Sequence, residues 1–319
     1  MNAPVALRPI DAVDLTIVVD NAVDLLVPGT ELAERPRTTW DGFEREPFRA
    51  EHGFSAALRI RQGERQARLL YDVGLGRDTA VHNMEVLGVD PREFQAVVLS
   101  HGHRDHHGGL AAFAPRVGRT TMPLVVHPHA WRERKAVFPT GAELHLPPPH
   151  RQDLEREGWQ ITDETGHSLL FEGMVLVTGQ VERVTDFEKG FPLQRALLDG
   201  GWQPDPLVCD DQALVMHLGG KGLVVVSSCS HSGTCNVVRH AQRLTGVDRV
   251  YAFVGGMHLT GGANEAIISR TVAELVATDP EVVVAGHCTG TKAHHALATA
   301  LPRAYVPTNV GTTYRFRAG

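Results

Sequence analysis

Basic residues form no run anywhere in this sequence. Lys and Arg number 31 against 37 Asp and Glu, a formal net charge of -6 with histidines neutral. A surface that tracks nucleic-acid phosphates needs clustered Lys and Arg, so no nucleic-acid partner is expected. Long apolar stretches are missing too. None reaches the roughly 18 residues of a membrane-spanning helix, and no membrane partner is expected. Cysteine is scarce, at positions 209, 229, 235 and 288, without a Cys-x-x-Cys pair. A chain of 319 residues needs no disulfide staples, so these read as reduced thiols. The first twenty residues contain early acidic groups and no basic start leading into an apolar segment, the pattern of an export signal. The expected location is the cytoplasm. Aromatics make up only 6%, few for stacking a planar ligand.

What the chain does have is a core and an excess of histidine. Hydrophobic residues reach 42% and charged residues 21%, the balance of a globular chain. Its length suits one large domain or two small ones. Short apolar segments separated by turn residues predict strands at 15–19, 54–60, 68–71, 96–99, 124–127, 174–178, 213–218, 223–226, 250–254 and 282–285. Gln62-Gly63 reads as the turn of a hairpin. Helices are expected over 79–87, 236–245 and 263–278. Strands and helices interleave, which gives an α/β or α+β class. Segments 139–165 and 182–209 are rich in Pro, Gly and charge, and read as loop insertions over a site.

The 18 histidines matter by placement. Directly after the apolar strand 96–99 comes Ser100-His101-Gly102-His103-Arg104-Asp105-His106-His107-Gly108-Gly109. In extended backbone, side chains two apart share a face, so His101 and His103 can address one cation. A following turn into a helix swings Asp105 and His106 toward a second. Gly108 and Gly109 allow the close backbone approach of such a turn. Imidazole and carboxylate together suit Zn, Mn or Fe. Three later strands end the same way. Segment 223–226 leads to Ser228-Cys229-Ser230-His231, 250–254 to Gly255-Gly256-Met257-His258, and 282–285 to Gly286-His287-Cys288-Thr289-Gly290. Strand ends far apart in sequence converge at one sheet edge, where layered enzymes place their sites.

The order His-x-His-x-Asp-His-x-Gly-Gly, a mid-chain ligand and a late Gly-His resembles the metallo-β-lactamase superfamily. Val19-Asp20-Asn21, Glu51-His52-Gly53-Phe54-Ser55, Leu70-Tyr71-Asp72-Val73-Gly74, Cys229-Ser230-His231, Gly255-Gly256-Met257-His258-Leu259 and Gly286-His287-Cys288-Thr289-Gly290 resemble one branch of it. That branch contains a pterin-aminobenzene ribofuranosyl phosphate synthase and many uncharacterised hydrolases. The resemblance spans almost the whole chain. It implies an α+β fold, an αββα four-layer sandwich, as a single domain over 1–319.

It also implies two divalent transition-metal ions, zinc first, with manganese or iron as alternatives. His101, His103 and His231 would hold one, and Asp105, His106 and His287 the other. Asp105 and His258 are the candidate catalytic groups, Asp105 orienting the nucleophile and His258 serving as ligand or acid/base. The chemistry implied is activation of a water between the ions for attack on a small-molecule ester, lactone or phosphodiester. A transferase like the synthase is the alternative, and a non-catalytic metal-binding protein a third reading. One departure stands out. Many members carry a bridging Asp at a later strand end, where this chain reads Ser227-Ser228-Cys229-Ser230-His231. His258, Cys229, Asp210 or Asp211 are candidates to take its place.

Asp72 is a candidate to orient the imidazoles from behind. His52, Cys229, Arg183 and Glu188 are candidate pocket residues. The competing readings are a turn for His52, a small buried thiol for Cys229 and solvated loop charges for Arg183 and Glu188. His107 is expected at the surface, and His294-His295 on a helix face. The partner is a small molecule; a homo-oligomer is compatible with the sequence.

Overall fold

The structure is a computed structural model, described here for residues 3–36, 46–118 and 122–319. Two eight-stranded sheets lie face to face. The first runs in spatial order through Trp159–Asp163, Met122–Val126, Ala96–Val98, Arg65–Tyr71, Ser55–Gln62, Ala12–Val19, Thr313–Arg317 and Ala33–Glu34. The second runs through Ser168–Leu170, Val175–Val177, Leu214–Leu218, Gly222–Ser227, Val250–Gly256, Val282–Gly286 and Tyr305–Pro307, with Pro9–Ile10 paired beside Leu214–Leu218.

Alternation along each strand builds three apolar layers. In Gly222–Ser227, Val224 and Val226 enter the core between the sheets, whereas Leu223 and Val225 face outward. The outward set packs under helices Thr234–Thr245, Ile268–Thr278 and Thr291–Ala300 through Val237, Leu275 and Leu297. On the first sheet, Val13, Leu15 and Ile17 face the central core, and Leu70, Val97 and Leu124 meet Met84, Phe113 and Leu154 of the helices Thr79–Leu87, Leu110–Val117 and Arg151–Glu157. A strand covered on both faces needs apolar residues at every position, which is why 223–226 and 96–99 carry no polar alternation. Burying each such Val or Leu contributes about 1.5–3 kcal/mol. The result is four layers, helix–sheet–sheet–helix. Among the described residues no helix is long and apolar enough to cross a membrane.

The strand directions place the site. Gly222–Ser227, Val250–Gly256 and Val282–Gly286 are parallel, with Ser227 level with Gly255 and Gly256 level with Gly286. In the other sheet Arg65–Tyr71, Ala96–Val98 and Met122–Val126 are parallel, with Tyr71 level with Val98 and Val98 with Val125. The residues after each strand therefore leave the sheet at one end.

Two expectations need correction. The segments 139–165 and 182–209 are not loop insertions. They hold strands Glu143–Leu146, Gln194–Leu198 and Gly201–Pro204, which join Arg134–Val137 in a third, four-stranded sheet, together with helix Arg151–Glu157 and edge strand Trp159–Asp163. Their Pro and Gly residues mark the turns between these short elements. The single helix expected over 263–278 is two, Gly262–Glu265 and Ile268–Thr278. The hairpin forms as expected, with Gln62 opposite Arg65 and Gly63 at φ 57° in the turn.

Candidate metal centre

The ligand loop begins one residue past Ala96–Val98. Backbone at His103 is still extended (φ -81°, ψ 142°), and a short helix, Arg104–His107, follows at once. This change from strand to helix separates the directions of His101 and His103 from those of Asp105 and His106. Gly108 and Gly109 allow it. A Cβ on Gly108 would lie 2.0 Å from the Leu75 carbonyl oxygen, and one on Gly109 would lie 2.3 Å from that of Val73.

Three imidazoles form a first group. The rings of His101, His103 and His231 have centroids 4.6, 4.8 and 4.7 Å apart. Nδ1 of His103 is 3.1 Å from Nε2 of His231. The protein decides which nitrogens face inward. Ser100 Oγ donates to Asp72 Oδ2 at 2.7 Å, so it accepts from His101 Nδ1 at 2.9 Å. His103 Nε2 donates to Gln194 Oε1 at 2.5 Å. His101 Nε2 is buried without a hydrogen-bond partner. Burial, with His106 and other imidazoles nearby, drives His101 well below the usual histidine range, and burial with Arg134 nearby holds His103 to about 4. Burial and then His258 lower His231 in the same way. All three are neutral at pH 7, the state a metal ligand requires.

A second group lies against the first, with His101 and His106 centroids 4.2 Å apart. Asp105 Oδ2 is 3.5 Å from His106 Nε2 and 3.3 Å from His287 Nε2. His106 Nδ1 donates to Asp72 Oδ2 at 2.7 Å. Here the electrostatics reverse. Burial opposes charge on His106, but Asp105 and Asp72 together push it up to about 10. His287 is also raised, burial being outweighed by Cys288 and Asp105, while Asp105 stays well below the carboxylate range through His106 and His287 despite burial. Nε2 of His106 and both ring nitrogens of His287 likewise have no hydrogen-bond partner. Unpaired buried nitrogens cost about 1–3 kcal/mol each. A bound cation would satisfy them, so the donor set fits divalent transition metals.

Asp72 emerges as the carboxylate behind both groups. It accepts from Ser100 N and Oγ and from His106. Sequence reasoning missed a second support, reached through the third sheet. Gln194 holds His103 and donates to Asp205 Oδ2 at 3.1 Å. Arg134, fully buried, donates to Asp205 and in bidentate fashion to Asp210. Asp210 in turn accepts from Gly102 N at 2.8 Å. The ligand loop is thereby fastened to strands Arg134–Val137 and Gln194–Leu198. A buried Arg is rare unless paired, but its partners lie 71 and 76 residues away, beyond any sequence spacing rule. Asp20, within the Val19-Asp20-Asn21 motif, accepts from His287 N at 2.8 Å.

The other candidates separate by contact. His258 is half-buried, its ring 4.1 Å from that of His231. His52 is exposed at the mouth, with Nε2 3.7 Å from Asp105 and its ring 4.8 Å from His287. Cys229 is buried, Sγ 3.3 Å from His231 Nε2. Glu188 is not a solvated charge: it accepts from Cys235 N and Asn236 N at 2.9 and 3.0 Å, capping helix Thr234–Thr245. Arg183 donates to the carbonyls of Leu207 and His231, bracing the loop that carries the ligand. His107 is not at the surface. It is buried, with Nε2 3.2 Å from the Pro147 carbonyl, because its short helix is enclosed by segment 147–149. His294 reaches Tyr305 from helix Thr291–Ala300.

A cleft of about 160 Å³ opens beside the imidazoles, with His231, His258, Glu188, Lys189 and Asn264 among its lining. The Phe191 ring stands 6.4, 6.1 and 5.8 Å from those of His103, His231 and His258, an apolar wall over the ligands. Ser230, His258 and His287, all at the site, have φ of 57°, 44° and 47°. Non-glycine residues in this region are strained, and such strain collects at functional sites.

Two stacked sheets between helices, with histidines and an aspartate at one edge, define the metallo-β-lactamase fold, and this chain has it. Residues 52–191 match the family model described as the metallo-beta-lactamase superfamily. Among relatives, the 7,8-dihydropterin-6-methyl-4-(beta-D-ribofuranosyl)-aminobenzene-5'-phosphate synthase of Methanocaldococcus jannaschii is 29% identical over 255 residues, 78% of this chain and 84% of that protein. An uncharacterised protein of the same archaeon is 29% identical over 251 residues, 77% of this chain and 87% of that one. The solved structure of Tm1679, described as a metal-dependent hydrolase of the beta-lactamase superfamily, superposes with a TM-score of 0.71 at 20% identity, covering 96% of this chain and 99% of the other.

Proposed function

We propose that this chain is a metal-dependent hydrolase acting on an ester, lactone or phosphodiester bond of a small molecule. The observation that carries the reading is the meeting of His101, His103 and His231 beside Asp105, His106 and His287, with Nε2 of His101, His106 and His287 buried and unpaired and Nδ1 of His103 3.1 Å from Nε2 of His231. When bound, two divalent cations would supply Lewis acidity and bring a water's pKa toward neutrality. The chain's own residues do the rest. Ser100, Asp72 and Gln194 hold three of the imidazoles in the tautomers that leave a lone pair inward, as supporting groups behind metal ligands do. Asp105 balances the charge between His106 and His287. His258 lines the cleft, where it is placed to give a proton to the leaving oxygen. Phe191 excludes water from the imidazole side.

The test is a panel of p-nitrophenyl esters, bis-p-nitrophenyl phosphate and lactones, assayed with zinc, manganese and iron separately. Turnover of one class with at least one metal, lost with a chelator, supports the reading. No turnover with any metal overturns it. The 29% identity over most of the chain to the archaeal synthase favours a second reading, transfer between a pterin and an aminobenzene ribofuranosyl phosphate. Consumption of both substrates by the loaded protein, with no hydrolysis in the panel, would select it.

A further inference from the structure

We infer that Cys229 is a metal ligand, its thiolate lying between the two cations where a carboxylate would otherwise bridge them. The inference rests on the proposed metal centre and goes beyond it. Cys229 stands two residues past the end of strand Gly222–Ser227 and is 2% exposed. Its sulfur belongs to two ligand clusters at once. One is His101, Cys229 and His231; the other is His106, Cys229 and His287, each with donor atoms within 4.8 Å of one another. Among the described residues no other side chain is shared by a cluster from each imidazole group.

The buried carboxylates are otherwise engaged. Asp72 is held by Ser100 and His106. Asp20 accepts from Asn21 N, His287 N and Thr308 Oγ1. Asp210 is taken by Gly102 N and Arg134; Asp211 accepts from Ser232 through Oδ2 alone, its buried Oδ1 unpaired, and it belongs to none of the ligand clusters. Asp105 is the one carboxylate in the ligand clusters, and it appears there with His52 and His287. An anionic donor between two adjacent divalent ions offsets their repulsion, and Cys229 is the anion-forming side chain that the two clusters share. On coordination the thiol loses its proton to solvent, and the sulfur binds zinc at about 2.3 Å.

Cys288 is a neighbour rather than the ligand. Its sulfur is 3.2 Å from that of Cys229, donates to the Cys229 carbonyl at 3.3 Å and accepts from His258 N at 3.2 Å. It shares a cluster with neither His101 and His231 nor His106 and His287. A thiolate in the centre also sets metal choice. Soft sulfur favours zinc and cobalt over manganese.

The test is cobalt(II) substitution of the full chain, read by near-ultraviolet absorption and by metal analysis. The wild-type chain should bind two cobalt ions and show a thiolate-to-cobalt charge-transfer band. Cys229→Ser should lose the band and bind the second ion at least about tenfold more weakly. Cys288→Ser should keep the band. Cys229→Asp should restore two ions without it. As a check free of variants, X-ray absorption of the zinc-loaded wild-type chain should contain a sulfur scatterer at about 2.3 Å. A band that survives in Cys229→Ser, or disappears only in Cys288→Ser, overturns the assignment. Two bound ions with no sulfur signal overturn the thiolate and leave the hydrolase standing. No cobalt uptake by the wild-type chain overturns the metal centre itself.

Discussion

Each group of imidazoles stands in a different protonation state, and this has a measurable consequence. His103, held to about 4, and His101 and His231, also lowered, are neutral at pH 7. His106 sits at about 10 in the metal-free chain. A cation must displace that proton, so its affinity for the second group rises about tenfold per pH unit until pH approaches 10. In Cys229→Ser, where the thiol has no proton to lose, affinity for the first group should be nearly flat at neutral pH and above. The sign for stability runs the opposite way. His106 is raised from 6.5, so its contribution to the metal-free fold is complete below pH 6.5 and lost as pH climbs through about 10. Zinc titrations of Cys229→Ser between about pH 7 and 9 check this; two affinities rising in parallel in that variant would refute it. Replacing both His101 and His103 by Ala should remove metal uptake and activity together, seen by metal analysis. Asp72→Asn should cost about 10–100-fold in metal affinity, since it unseats Ser100 and His106 while removing no ligand.

At the scale of elements, the ligands depend on how the neighbouring helices and turns are closed. Helix Thr234–Thr245 starts three residues after His231, and two of its first N–H groups are taken by Glu188. Such groups have no partner within the helix. Glu188→Ala should destabilise the fold by about 1–2 kcal/mol, measured by denaturant unfolding, and loosen the His231 loop. Gly108→Ala should be harsher, because the new Cβ meets backbone at 2.0 Å and no side chain can move aside. Most strands and the histidines at their ends were legible in the sequence, since a covered strand needs an unbroken apolar run. The short strands Glu143–Leu146, Gln194–Leu198 and Gly201–Pro204 were not. They form two short hairpins joined only by the distant pairing of Gln194–Leu198 with Arg134–Val137, and their exposed faces carry no period-two pattern of apolar residues.

For the whole molecule, the third sheet acts as a clamp on the ligand loop. Arg134, Asp205, Asp210, Gln194, His103 and Gly102 form one connected buried network. Breaking a buried ion pair from one side costs about 3–5 kcal/mol, because the other charge is left unpaired. Arg134→Met should therefore lower the unfolding temperature and weaken metal binding at His103 in the same variant. A calorimetric scan with a parallel zinc titration measures both. Normal zinc affinity in a destabilised Arg134→Met would show that the clamp serves the fold alone.

By itself the sequence determined which side chains were available to a metal and that they sit just past buried strands. Both are local properties: residue identity and apolar run length. Only the tertiary structure decided which nitrogen of each ring faces inward, which carboxylates are consumed by Ser100, Arg134 and Ser232, and that Cys229 lies between the two groups. Those outcomes depend on hydrogen bonds between residues far apart in the chain, such as Asp20 with His287, 267 positions away. Such bonds form only when packing brings the two sheet edges together.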